Sequence, residues 1–129
     1  MEESPPPFIV FRTPKHTAKI ERVDVYQLAL DFTAKVEAVL VKTEARYHMK
    51  DRLDRQASGI AMWVAQAVND LAPAGRRASY RKAHAIAVDC STLLDILARR
   101  SDVDSTAVHA AQQLLIKLLS NLDHLRSQV

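Results

Sequence analysis

Glycine, cysteine and aromatic residues are scarce in this chain. Its 129 residues include two glycines and one cysteine, and Phe, Trp and Tyr together make up 5%. Strand-rich domains use turn glycines and many aromatic or β-branched residues, so this composition disfavours a sheet protein. The chain is instead weighted to Ala, Leu, Arg, Gln and Lys, which are good helix formers, and this predicts an all-α protein.

Long apolar runs and nucleotide-binding motifs are also absent from the sequence. No apolar run approaches the roughly 18 to 20 residues that span a bilayer. The opening "MEESPPPF" is acidic and proline-rich, unlike a signal peptide, and a single cysteine suits a reducing compartment. We therefore expect a cytoplasmic protein. Neither GxxxxGK[ST] nor GxGxxG occurs, which disfavours nucleotide hydrolysis.

Four segments place apolar residues at three- and four-residue spacing, the pattern of amphipathic helices around a shared core. The predicted N-cap residues are Asp24, Asp51, Ser79 and Ser105. The predicted inward faces are Val25, Leu28, Ala29, Phe32, Val36, Val39 and Leu40; Leu53, Ala57, Ile60, Ala61, Val64, Ala67, Val68 and Leu71; Tyr80, Ala83, Ala87, Cys90, Leu94 and Leu97; and Val108, Ala111, Leu115, Leu118, Leu122 and Leu125. Short connections favour an antiparallel up-down-up-down four-helix bundle over residues 24–129.

The first 23 residues are predicted to lie outside the bundle. Three consecutive prolines, at 5–7, favour a flexible tail because proline enters neither a helix interior nor a strand ladder. The run "FIVF" at 8–11 is too apolar to be left in water and too short for a helix before Pro14. We expect an extended N-terminal arm that packs on this subunit or on a neighbouring one.

Several apolar residues fall outside the core stripes, and two interpretations remain open. Scattered exposed apolar side chains are normal in soluble proteins. Because every helix contributes at least one, with Ile116 on the fourth, we favour a self-association surface and a homo-oligomer. The candidate interface residues are Phe8, Ile9, Phe11, Leu30, Val41, Met62, Trp63, Val88 and Ile96.

Catalytic and metal sites are not indicated. Cys90 lies on an inward helix face, where a thiol is usually a small inert hydrophobe, and His84 is too far along that helix to serve as its base. No histidine spacing resembles HExxH or a ferritin-like Glu-x-x-His pair. We expect no catalytic residue, no metal and no cofactor.

Clustered cations are the remaining functional signal. The net charge is +3, and the stretch "GRRASYRK" at 75–82 carries four cations and no acid near a helix start. Cations are disfavoured there unless an anion arrives, and free N–H groups would assist its binding. A solvated face is the alternative interpretation. Phosphate contacts of this kind would be salt-sensitive and independent of base sequence. The candidate nucleic-acid-binding residues are Arg76, Arg77, Arg81, Lys82, Arg52 and Arg55.

Three stretches resemble one known family. "RLDRQASGIAMWVAQAV" at 52–68 resembles the "QLRRAAVSIPANIAEG" signature of small bacterial four-helix-bundle proteins encoded in intervening sequences of large-subunit ribosomal RNA genes. "DVYQLAL" at 24–30 and "SYRKAHAIAVDC" at 79–90 are similar to two further family stretches, so the resemblance covers about residues 23–125. The chain departs at 61–67, where "AMWVAQA" replaces the family's "PANIAEG".

The resemblance implies a homopentameric barrel of four-helix bundles. It extends to the accessory variability proteins of diversity-generating retroelements, which look like the same fold with a basic surface that binds nucleic acid and engages a reverse transcriptase. The expected partners of this chain are therefore further copies of itself, RNA or DNA, and a reverse transcriptase. An interaction scaffold with an unknown protein partner and no nucleic-acid role is the alternative.

Overall fold

The protein folds into four helices that surround one core. The computed structural model describes residues 17–42, 47–100 and 103–127, with side chains from residue 24 onward. Its helices are α1 (Thr17–Val41), α2 (Tyr47–Asn69), α3 (Pro73–Ala98) and α4 (Ser105–Ser127). Each helix packs against its two neighbours in the order α1, α2, α3, α4 and back to α1. The predicted antiparallel four-helix bundle is confirmed.

The predicted stripes form the core of the bundle. Its largest fully buried side chains include Phe32, Leu53, Ile60, Leu94, Leu115, Leu118 and Leu122. Leu28 and Leu40 are only partly buried and pack against the edge of this core. The inward position predicted for Leu71 is wrong, because α2 ends at Asn69 and leaves the Leu71 side chain 64% exposed in the following turn.

The first helix begins earlier than predicted. It starts at Thr17 rather than at Asp24, because the intervening "TAKIERV" contains neither proline nor glycine to stop it. Within α1, the side-chain amide of Gln27 donates to Asp31 Oδ1 at 3.2 Å. Residues 17–23 of the predicted arm therefore belong to α1, and the tail up to residue 16 lies outside the described residues.

The starts of α2 and α3 also differ from the prediction. The second helix begins at Tyr47, one turn before Asp51, which lies inside it. The third begins at Pro73 after Ala72, since proline suits a first turn that needs no donated N–H. Ser79 is consequently not a cap; it is buried within α3.

Asp104, one residue before the predicted Ser105, caps α4. Its carboxylate accepts the backbone N–H groups of Thr106 at 2.9 Å and Ala107 at 3.2 Å, as an N-cap side chain does. The same carboxylate lies 3.9 Å from Lys42 Nζ, which links the end of α1 to the start of α4. Within the described ranges, no helix is long and apolar enough to cross a membrane.

Candidate nucleic-acid interface

The turn between α2 and α3 holds Arg76, the first cation of the predicted cluster. Its guanidinium Nη1 donates to the carbonyl oxygens of Asp70 at 3.1 Å and Leu71 at 3.0 Å. These two donated hydrogen bonds keep the Arg76 side chain against the backbone of its own turn. Arg76 therefore stabilises the turn, and we expect it to contribute little to ligand binding.

Asp70 supplies an acid beside the start of α3. Its Oδ1 accepts the backbone N–H of Ala72 at 2.9 Å, and a Cβ placed on Gly75 would stand 2.8 Å from its Cγ. The carboxylate thus lies over the positive end of the helix dipole, where an anion is favoured. The expectation of an α3 N-terminus without a neighbouring acid is wrong, because the preceding turn folds its own carboxylate back onto the helix.

The other three cations of the cluster lie on different sides of α3. Successive helical residues point about 100° apart, so Arg81 and Lys82 diverge. Arg77 and Arg81 share a face with His84, whose neighbours Asp123 and Arg126 belong to α4. Lys82 instead faces α2, with its ammonium 4.3 Å from the centre of the Trp63 ring. The structure does not keep the four predicted residues together.

Arg52 and Arg55, from the second predicted cluster, meet α3 along the outer groove between α2 and α3. They line a depression of about 340 Å³ together with Gln56, Gly59 and Ile86. The Lys82–Trp63 pair adjoins this depression, since Lys82 precedes Ile86 by one turn and Trp63 follows Gly59 by one turn. We call this surface the α2–α3 groove: Arg52, Arg55, Gln56, Gly59 and Trp63 from α2, with Lys82 and Ile86 from α3.

Two acids lie close to the α2–α3 groove. Asp51 pairs with Arg55 at 3.0 Å, but the Arg55 side chain remains 74% exposed. An exposed pair of this kind contributes about 0 to 1 kcal/mol, so an incoming phosphate can replace the carboxylate. Asp89 is exposed one turn beyond Ile86 on the same side of α3. The groove carries three cations, with two acids near its arginine end.

Cys90 is fully buried, in agreement with the inward position predicted for it. Burial and the nearby Asp89 carboxylate raise the pKa of its thiol to about 12, so the reactive thiolate is absent at neutral pH. Its Sγ lies 3.9 Å from Gln56 Oε1, a weak S–H donor contact. Within the described residues, no group of three His, Cys, Asp or Glu side chains is placed to hold a metal ion.

The candidate interface residues are spread over several surfaces. Val41 is 71% and Met62 is 72% exposed, while Val88 and Ile96 are each about half exposed. Leu30 and Trp63 are partly buried and pack against the core. Phe8, Ile9 and Phe11 lie outside the described residues. The candidate interface residues that the structure describes expose apolar area on α1, α2 and α3, and they are not grouped in one patch.

Sequence reasoning missed Gln56, Gly59 and Ile86, which complete the α2–α3 groove. One signal was available, because a glycine inside an otherwise helical apolar pattern often marks a place where something approaches closely. No sequence pattern indicates Ile86. Only the packing of α3 against α2 brings Ile86 opposite Gly59, and a Cβ added to Gly59 would lie 3.6 Å from Ile86 Cδ1.

Comparison with known proteins identifies a similar fold. No protein-family model matches the chain, and no curated protein matches its sequence. The chain is similar to the crystal structure of a protein of unknown function from the S23 ribosomal protein family of Bacteroides thetaiotaomicron, with a TM-score of 0.75. The likeness covers 84% of this chain and 99% of the other at 14% sequence identity. It shows a shared four-helix fold and assigns no function.

Proposed function

We propose that this protein is a non-enzymatic, homo-oligomeric four-helix bundle that binds RNA or DNA weakly and without sequence preference. The observation that carries the proposal is the α2–α3 groove, where Arg52 and Arg55 of one helix line the same depression as α3 and adjoin Lys82. Repetition of this groove in an oligomer, a pentamer if the family resemblance holds, would add avidity to weak single contacts.

Charge and exposure support a phosphate ligand. Arg52 is exposed, and the exposed pair between Arg55 and Asp51 is easily exchanged. Lys82 is exposed above the Trp63 ring, so its ammonium is held in place yet remains open to a second partner. Contacts from three such cations to the phosphate backbone position a nucleic acid without reading its bases.

Titration of a fluorescently labelled oligouridine tests the proposal by anisotropy. Three phosphate contacts to a single strand predict an affinity loss of about twentyfold between about 50 and 200 mM salt. The Arg52→Ala/Arg55→Ala/Lys82→Ala variant should lose about tenfold or more at the lower salt concentration. The matched control, Lys35→Ala/Arg99→Ala/Lys117→Ala, removes three exposed cations elsewhere and should stay within about twofold.

The Arg76→Ala variant distinguishes binding by the α2–α3 groove from binding by the cation cluster at 75–82. Because its guanidinium is bonded to the turn carbonyls, we expect this variant to bind like the wild type. Salt-independent binding, or equal losses in the groove variant and its control, would refute a role for the α2–α3 groove.

An interaction scaffold is the second candidate, favoured by a different surface. Met62 and Leu71, both strongly exposed, line a concavity of about 740 Å³ at the end of α2 with Ala65, Gln66 and Asn69. A protein partner, such as the reverse transcriptase implied by the resemblance, would cover this apolar area. A partner protein should be captured even after nuclease treatment. Loss of this capture in Met62→Asp/Leu71→Asp, and its retention in Arg52→Ala/Arg55→Ala/Lys82→Ala, would favour this function.

A further inference from the structure

The α2–α3 groove has a floor without polar side chains at its centre. Gly59 contributes no side chain, and a Cβ there would reach Ile86 Cδ1 at 3.6 Å, which is ordinary van der Waals contact. The floor therefore consists of the α2 backbone at Gly59 and the Ile86 side chain, and the space above it is about 340 Å³. A surface that binds phosphate alone has no need of an apolar recess between its cations.

Gln56 places an amide at the edge of this recess. Its Oε1 accepts a weak contact from Cys90 Sγ at 3.9 Å. Its amide NH₂ has no hydrogen-bond partner among the described residues. A side-chain amide beside an apolar floor can donate to the edge of a planar heterocycle, as amides do when they contact nucleobases.

We infer that the recess accepts one unpaired nucleobase of a single strand, with its ring over Gly59 and Ile86, its edge at Gln56 and its flanking phosphates at Arg52, Arg55 and Lys82. This inference rests on the proposed function and adds the class of ligand to it. A base within a duplex has both faces stacked and cannot enter the recess. A groove between helices whose axes are about 8 to 10 Å apart admits one strand and not a duplex.

Trp63 reports on occupancy of the recess. It is the single tryptophan of the chain, it lies one turn from Gly59, and its ring carries the Lys82 ammonium at 4.3 Å. A phosphate that draws Lys82 away, or a base that reaches the ring, changes the surroundings of the indole. Oligouridine of about eight nucleotides should therefore change the Trp63 fluorescence even in the Lys82→Ala variant, whereas a blunt-ended duplex, which offers phosphates but no unpaired base, should not do so in that variant.

Filling the recess gives the decisive variant. Gly59→Leu places a side chain over Ile86 without altering charge, and should weaken binding of the single strand about tenfold while leaving duplex binding unchanged. Ser58→Leu adds the same side chain at the exposed neighbouring position and should bind like the wild type. Gly59→Ala, whose added methyl meets only Ile86 at contact distance, should fold normally and show a smaller loss.

The outcomes separate this inference from the proposed function. Equal wild-type affinity for single strand and duplex, or wild-type binding by Gly59→Leu, would overturn the nucleobase recess while leaving cation-dependent binding in place. Absence of all binding, or binding that ignores Arg52, Arg55 and Lys82, would overturn the proposed function itself. Circular dichroism of each variant establishes that a loss of binding does not reflect unfolding.

Discussion

Arg76 and Lys82 show how residues of one sequence cluster acquire different roles in a helix. Arg76 turns back to the carbonyls of Asp70 and Leu71, while Lys82 faces α2 and covers the Trp63 ring. Since neighbouring helical positions point about 100° apart, a compact run of cations becomes a set of separate contacts. The α2–α3 groove instead draws its cations from two helices, a combination that only the packing of the bundle produces.

His84 gives a pH-dependent contribution to stability. Burial and the nearby Arg126 lower the pKa of its imidazole below 6.5, while Asp123 opposes them. The unfolded chain then binds the proton more readily than the folded protein. The contribution is therefore fully present above about pH 6.5 and is lost as the pH falls toward the lowered pKa of the folded state.

Urea unfolding between about pH 5 and pH 7.5 measures this contribution. We expect the free energy of unfolding of the wild type to decrease more steeply below pH 6.5 than that of His84→Gln. Arg126→Gln removes one cause of the lowered pKa without removing a group that titrates in this range, so its profile should be intermediate. Identical profiles for wild type and His84→Gln would contradict the assignment.

At the scale of the helix, buried stripes were predictable and helix starts were not. Residues such as Phe32, Ile60 and Leu118 were placed inward correctly, because three- and four-residue spacing repeats over many turns and tolerates a wrong boundary. The starts of α1, α2 and α3 depend on one or two residues each. In α3 the plausible cap Ser79 lies inside the helix, and the actual start after Ala72 has no polar capping side chain.

The turn between α2 and α3 allows a test of the Asp70 contact at the start of α3. Replacing a helical glycine by alanine usually stabilises a protein by about 0.5 to 1 kcal/mol. At Gly75 the added methyl would displace the Asp70 carboxylate from Ala72 and from the helix end, so Gly75→Ala should give no gain or a loss of about 1 kcal/mol. Gly59→Ala, with ordinary contact to Ile86, should show the usual gain.

A double-mutant cycle isolates that contact. In an Asp70→Ala background the obstacle at Gly75 is gone, and Gly75→Ala should then stabilise the protein by about 0.5 to 1 kcal/mol in urea unfolding. An equal effect of Gly75→Ala with and without Asp70 would show that the carboxylate does not interact with the helix start.

For the whole molecule, the apolar area left outside the core is the feature that a single bundle does not explain. The bundle closes its core with four helices, yet Val41, Met62 and Ile96 remain exposed on three of them. Apolar side chains that are distributed around a bundle suit contacts with two neighbouring subunits, because a ring uses two different surfaces of each subunit. One isolated patch would suit contact with a single neighbour. We therefore expect the protein to form a homo-oligomer through these exposed apolar side chains.

Sedimentation velocity and binding of long RNA test assembly and avidity together. We expect a particle whose mass is a multiple of 14.4 kDa, fivefold for a pentamer, and an affinity for oligouridine that rises steeply once one strand reaches several grooves. Val41→Ser/Met62→Gln/Ile96→Ser removes exposed apolar area without adding charge, and should lower the mass and abolish the length dependence. The affinity of this triple variant for an oligouridine of about eight nucleotides should stay at the wild-type value, because each α2–α3 groove lies within one subunit. A monomeric wild type that still gains affinity with strand length would contradict the link between assembly and binding.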